Sequence, residues 1–184
     1  MKSLLTAPLI GTACALVAGC GCGQSDGTVP MMPVYSVEGH AITLEDGVYE
    51  SGNGTVSLLV STSGDLDGDA TVDHAAILVH DSRGSGVFYY LNVLLNDGKG
   101  RFALAGEVFL GDRIRIDYMD IYKPGSVSRL TGAPISPEGY GQLVVGYYIH
   151  SPVQAYAESP GIYAMRHWKI EDNKLVSGDD NQAD

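Results

Sequence analysis

Short apolar runs rich in Val, Ile, Leu and Tyr alternate with clusters of Gly, Asp, Asn and Pro from about Tyr35 onward. Runs of this length between turn-forming residues predict β-strands. The predicted strands are Thr55–Ser61, His74–Asp81, Val87–Leu95, Arg101–Leu110, Ile114–Ile121, Gln142–His150 and Tyr163–Ile170. Ile114-Arg115-Ile116-Asp117-Tyr118 alternates with period two, so one face should be buried and the other wet. Ala75-Ala76-Ile77-Leu78-Val79 is continuously apolar and fits a central strand covered on both faces. Arg83-Gly84-Ser85-Gly86 and Asn96-Asp97-Gly98-Lys99-Gly100 predict hairpin turns, where glycine supplies positive φ. Pro124–Pro137 and Ser151–Pro160 are the longer loops. No long stretch carries a strong 3.6-residue period. The expected fold is all-β, an antiparallel sandwich or curled sheet of about seven or eight strands.

The first residues follow a different pattern. Lys2 is the only charge before Asp26, and the chain is apolar from Leu4 to Val17 apart from small residues and Thr. A short charged region followed by an apolar stretch of this length predicts an export signal. A membrane span needs roughly 20 consecutive apolar residues. This stretch is shorter, contains Pro8 and Gly11, and runs into Gly19-Cys20-Gly21-Cys22-Gly23. Val17-Ala18-Gly19-Cys20 resembles the lipobox of bacterial lipoproteins, in which a branched residue and two small ones precede a lipidated cysteine. That resemblance implies cleavage after residue 19, covalent lipid on Cys20 and a membrane anchor. Several acyl chains together give stable attachment, whereas one is marginal. Gly21 after the cysteine implies the outer membrane if the cell is Gram-negative. The alternative is a secreted protein cut by the ordinary signal peptidase. The expected organisation is a signal segment 1–19, a lipidated cysteine with a Gly-, Ser- and Pro-rich tether 20–34, one β domain 35–176, and an acidic tail 177–184.

Cleavage would leave 165 of 184 residues, enough for one domain with a real core. Lys2 would leave with the signal, so 10 basic side chains would face 22 acidic ones, a formal charge of −12. That balance argues against nucleic acid and anionic lipid as partners, and suits divalent cations. Of the three cysteines, Cys14 would be lost and Cys20 acylated. Cys22 would remain without an internal partner, an inert thiol in the tether or one able to pair between molecules.

One cluster carries candidate chemistry: Gly64-Asp65-Leu66-Asp67-Gly68-Asp69-Ala70-Thr71-Val72-Asp73. Carboxylates fall at positions 1, 3, 5 and 9 of a loop, and Ca²⁺ takes 6–8 oxygen ligands. The expected ligands are Asp65, Asp67, Asp69, the backbone carbonyl of Thr71, and Asp73. Four carboxylates together without a cation would repel one another. A solvated turn built on Asp hydrogen bonds is the alternative. An EF-hand is excluded because Ala76 stands at position 12 and a strand follows. The pattern resembles the calcium loops of FG-GAP and VCBS repeats, and Leu94–Phe102 is similar to the later part of a VCBS repeat. That likeness covers 64–102, in a single copy, and implies a loop rather than a propeller. Ala70 stands where those loops have Gly, and a positive φ would cost it about 1 kcal/mol. Together with Gly84–Tyr90 and Leu110–Arg113, the loop also resembles a recurrent domain of uncharacterised bacterial lipoproteins, which supports export and β structure without implying an activity.

His40, His74, His80, His150 and His167 show no metal spacing, and Ser82 and Ser85 near His80 form a turn composition without a nucleophile elbow. Tyr89-Tyr90 and Tyr147-Tyr148 form a candidate recognition surface, because tyrosine is enriched at interfaces. The alternative is that one of each pair is core and its neighbour faces water. The expected function is a non-enzymatic, membrane-tethered envelope or surface module for binding or assembly, with a structural Ca²⁺ loop and an unknown protein partner. Its alternatives are a periplasmic hydrolase with an unassigned site and an accessory subunit of a larger envelope complex.

Overall fold

The computed structural model describes residues 32–84, 86–123, 125–127, 132 and 141–178. The expected signal segment, Cys20, Cys22, most of the expected tether, most of residues 124–137 and residues 179–184 lie outside them. Eleven strands follow in chain order: β1 (Val34–Val37), β2 (His40–Thr43), β3 (Val48–Ser51), β4 (Gly54–Gly64), β5 (Asp73–Asp81), β6 (Val87–Asn96), β7 (Phe102–Asp112), β8 (Arg115–Tyr122), β9 (Gln142–Ile149), β10 (Ile162–Glu171) and β11 (Lys174–Ser177). All pairings are antiparallel. The sheets run β3-β4-β5-β6-β7, β11-β10-β9-β8 and β1-β2. The seven strands read from the pattern are the seven long ones, β4 to β10. The four missed are each four residues long, too short to show a period.

The two larger sheets pack face to face. Ala75, Ile77, Leu91, Val93 and Leu95 from one meet Leu143, Val145, Tyr147, Trp168 and Ile170 from the other, with Leu66, Leu110 and Ile114 closing the core. The opposite face of the five-stranded sheet carries Val56, Ala76, Leu78, Tyr90 and Leu94. The β1–β2 hairpin lays Tyr35, Val37, Ile42 and Leu44 on it. The run 75–79 is therefore covered on both sides, with β5 central in its sheet.

Three two-residue hairpin turns have both central residues at positive φ: Glu38-Gly39, Asp46-Gly47 and Asp172-Asn173. This geometry matches the right-handed twist of the flanking strands. The predicted turns at 83–86 and 96–100 join β5 to β6 and β6 to β7, closed by Ser82 N–H to Gly86 O and Asp97 N–H to Arg101 O.

The hairpin is clasped to the sheet by polar groups. Asn92 of β6 is fully buried, and its amide bonds both backbone groups of Ser36. Glu107 of β7 accepts hydrogen bonds from the Ser36 hydroxyl and from the N–H groups of Glu38 and Gly39. A carboxylate wrapped by three donors is a charge-assisted anchor. It holds the β1–β2 turn over the sheet.

Candidate functional site

The acidic loop joins β4 to β5. Its carboxylates organise its backbone, as Asp does in turns. Asp65 accepts the N–H of Gly68 at 2.7 Å and of Ala70 at 3.1 Å. Asp67 accepts Asp69 N–H at 3.1 Å, and Asp69 accepts the N–H and hydroxyl of Thr71 at 2.7 and 2.6 Å. The path needs positive φ at Gly68 (86°) and Ala70 (66°). Leu66, 1 % exposed, plugs the loop into the core.

Asp73 is fully buried at the start of β5. Its oxygens accept the backbone N–H of Leu66 at 2.8 Å and of Asn96 at 3.0 Å. Burial pushes its carboxyl above the ordinary range. The two N–H groups oppose that shift, and the nearby charges of Asp67 and Asp69 add to it. The Thr71 hydroxyl and N–H hold Asp69 below the ordinary range.

One oxygen each from Asp65, Asp67 and Asp73 lie within 4.8 Å of one another. At Ca–O distances of 2.3–2.6 Å, two oxygens on one ion lie at most about 5 Å apart. The donor set, all hard oxygens, and the spacing both fit Ca²⁺. Of the four expected carboxylate ligands, these three converge. Asp69 is engaged with Thr71 instead, and the single Thr71 hydroxyl proton is shared between Asp69 and Asn96 O, 2.9 Å away. Asn96 donates its side-chain N–H to Val72 O at 3.2 Å. The acidic loop and the 96–100 turn, far apart in sequence, are thereby stitched together.

The tyrosine pairs do not form one surface. Tyr90 and Tyr147 are buried, on the hairpin side of β6 and in the inter-sheet core respectively. Tyr89 packs partly against the inter-sheet core. Tyr148 lies on the outer face of the four-stranded sheet, edge-on to Tyr163 at 5.1 Å with the Arg115 guanidinium 4.0 Å from its ring centre. Period two sends neighbours to opposite faces.

His40 and His80 line one cleft, and His74 and His150 have other partners. His74 Nδ1 is 3.3 Å from the Ser63 hydroxyl, and its Nε2 is 3.1 Å from the Tyr35 hydroxyl. Burial holds the His74 ring below the usual imidazole range and pushes the Tyr35 phenol up. In a Ser-His-Asp triad a carboxylate orients the histidine; here the Tyr35 hydroxyl lies at that nitrogen. His150 Nε2 is 3.1 Å from Arg113 O. His80 lines a cleft beside the hairpin with Glu38, Tyr49 and Asn53. Neither that cleft nor the Glu107 clasp was read from the sequence. The Glu38-Gly39 and Asp46-Gly47 turn pairs were the available signal for the hairpins that frame them.

No protein-family model, no curated protein and no solved structure matches this chain. Among the described residues, no helix is long and apolar enough to cross a membrane.

Proposed function

We propose that this chain is an exported, lipid-anchored, non-enzymatic module of the cell envelope, used for binding or assembly, whose β domain is pinned by Ca²⁺ at the acidic loop. The observation that carries the reading is the convergence of Asp65, Asp67 and Asp73 within 4.8 Å. The ion would supply the positive charge that lets three carboxylates stay ionised side by side. Asp73 would link it to Asn96 and Leu66 through the hydrogen bonds already described. Held there, it would brace the start of the central strand against the β6–β7 turn. The export and anchor parts of the reading rest on Lys2, the apolar stretch to Val17, and Val17-Ala18-Gly19-Cys20.

Thermal melting with Ca²⁺ and with chelator tests the loop. The midpoint should rise with Ca²⁺, and Asp67→Asn should abolish the rise. A wild-type melt unchanged across millimolar Ca²⁺ overturns the metal part. Intact mass of the protein from membranes tests the anchor, with a diacylglyceryl group expected on Cys20. Cys20→Ser protein that is still acylated and membrane-bound overturns the choice of residue.

A further inference from the structure

The two larger sheets meet along two sides. On one, β7 and β11 touch, and a Cβ on Gly106 would overlap the Leu175 side chain. On the other, β4 lies against β8, the edge strand of its sheet. β3 pairs with residues 54–57 of β4 alone, so 59–64 form an edge as well. The two edges close at the Gly64 end. There Gly141 N–H donates to Asp65 O at 3.2 Å, and a Cβ on Gly64 would lie 3.2 Å from Ile121. Farther along they part, and a cleft of about 380 Å³ opens with Leu59 and Val60 on one side and Ile116 and Met119 on the other.

Both edges are bulged. Leu59 is the extra residue of β4, between Leu58 and Val60, and Asp117 is that of β8, between Ile116 and Tyr118. A bulge interrupts the ladder and re-aims side chains, so an added strand finds no regular edge here. The edges present side chains instead. Leu58 and Leu59 are 37 and 50 % exposed. Arg115 and Asp117 are exposed and also line the cleft. The Arg115 guanidinium lies over the Tyr148 ring, and among the described residues neither it nor Asp117 has an ion-pair partner. The neighbouring Asp112 and Arg113 pair with each other at 2.6 Å.

The chain carries 22 acidic and 11 basic side chains, so two copies repel over most of their surface. The mouth of this cleft holds one charge of each sign and is locally neutral. It is also self-complementary. An isologous contact sets residue i against j and j against i. A two-fold axis near Ile116 would bring Arg115 of each copy to Asp117 of the other, around apolar groups from both.

We propose that this chain self-associates through the β4–β8 opening, a second copy covering Leu59, Ile116 and Met119 and exchanging two Arg115–Asp117 ion pairs. Neither Cys20 nor the acidic loop takes part, so the association stands or falls separately from the anchor and the metal. A patch this small gives a weak, transient contact.

Sedimentation equilibrium of the full chain up to about 0.5 mM tests it, with a dimer of Kd about 0.1 mM or tighter expected. Arg115→Asp and Asp117→Arg each set like charges opposite one another. Each should weaken association by about tenfold or more, with the melting temperature retained. Asp117→Arg also lowers the net negative charge, so general repulsion alone would make it associate more tightly. Arg115→Asp mixed with Asp117→Arg should associate as tightly as wild type, because each copy supplies the charges that the other lacks. The double variant should do the same. A wild type that stays monomeric overturns the proposal and leaves the cleft to a small apolar ligand or a different protein. Single variants that associate like wild type overturn it too, since contact through any other segment would behave so. A mixture no tighter than its components overturns the reciprocal pairing on which the proposal stands.

Discussion

Asn92 and Ser36 exchange two hydrogen bonds across the outer face of the five-stranded sheet: Ser36 N–H donates to Oδ1 at 2.7 Å, and Nδ2–H donates to Ser36 O at 2.9 Å. A side-chain amide thus serves β1 as a neighbouring strand would. Each buried backbone group left without its partner costs about 1–3 kcal/mol. Asn92→Leu should therefore destabilise the protein by about 2–4 kcal/mol in urea unfolding. The largest loss of amide-exchange protection should fall in β1 and β2. A change below about 0.5 kcal/mol would mean that water replaces the amide at no cost.

Gly54 has φ of 137°, and a Cβ there would meet the Asp81 carbonyl and His80. Backbone on both sides prevents relief by a side-chain shift. Gly54→Ala should cost more than the roughly 1 kcal/mol of an ordinary glycine replacement. Thermal unfolding should show a clearly lowered midpoint, whereas Gly52→Ala, which meets nothing within 4 Å, should leave it nearly unchanged.

Ala70 sits at φ 66° in the acidic loop. Left-handed backbone costs an L-residue about 1–2 kcal/mol, which glycine avoids. The more flexible unfolded chain of a glycine variant returns part of that gain. Ala70→Gly should raise stability by up to about 1 kcal/mol without Ca²⁺. Should the variant melt lower than wild type, the strain at this residue is relieved elsewhere.

His74 packs against Tyr35 and Phe102, with ring centres 6.1 and 6.5 Å away. Burial lowers its affinity for a proton in the folded state, relative to 6.5 for a free ring. The unfolded chain then binds more protons near that pH, so stability is present above about 6.5 and falls as the pH drops through it. Comparing wild type with His74→Phe at pH 7.5 and 5.5 isolates the effect. Wild type should lose more stability on acidification than the variant, and equal losses would contradict the burial argument.

A ligand that binds only the native state stabilises it by about 2.7 kcal/mol when its free concentration is 100 times the Kd. If Asp65, Asp67 and Asp73 hold Ca²⁺, the melting midpoint should track log [Ca²⁺]. Asp69→Asn, whose carboxylate is turned to Thr71, should weaken that dependence less than Asp67→Asn. The opposite ranking would mean that Asp69 takes the ion directly.

Much of the fold was legible because β-strands announce themselves locally. The run Ala75–Val79 had no polar residue to face water, so two layers had to cover it, and they do. The Asp spacing from 65 to 73 likewise marked the loop whose carboxylates converge. The strands of 34–51 were harder, because four residues hold only two per face. Their turn pairs, Glu38-Gly39 and Asp46-Gly47, carried more information than their apolar content.

By itself the sequence determined which segments extend, where they turn, and that adjacent residues part to opposite faces, since a strand repeats every two residues. It also placed the acidic side chains close together on one short loop. Only the tertiary structure decided that the hairpin lies over Asn92 and Glu107, that Tyr90 and Tyr147 rather than Tyr89 and Tyr148 are buried, and that Asp69 turns to Thr71. It alone brought Glu38 to His80. The reason is that period two assigns a residue to a side of its strand and leaves open what covers that side. Covering depends on pairing between distant segments, and that is set by the fit of whole faces.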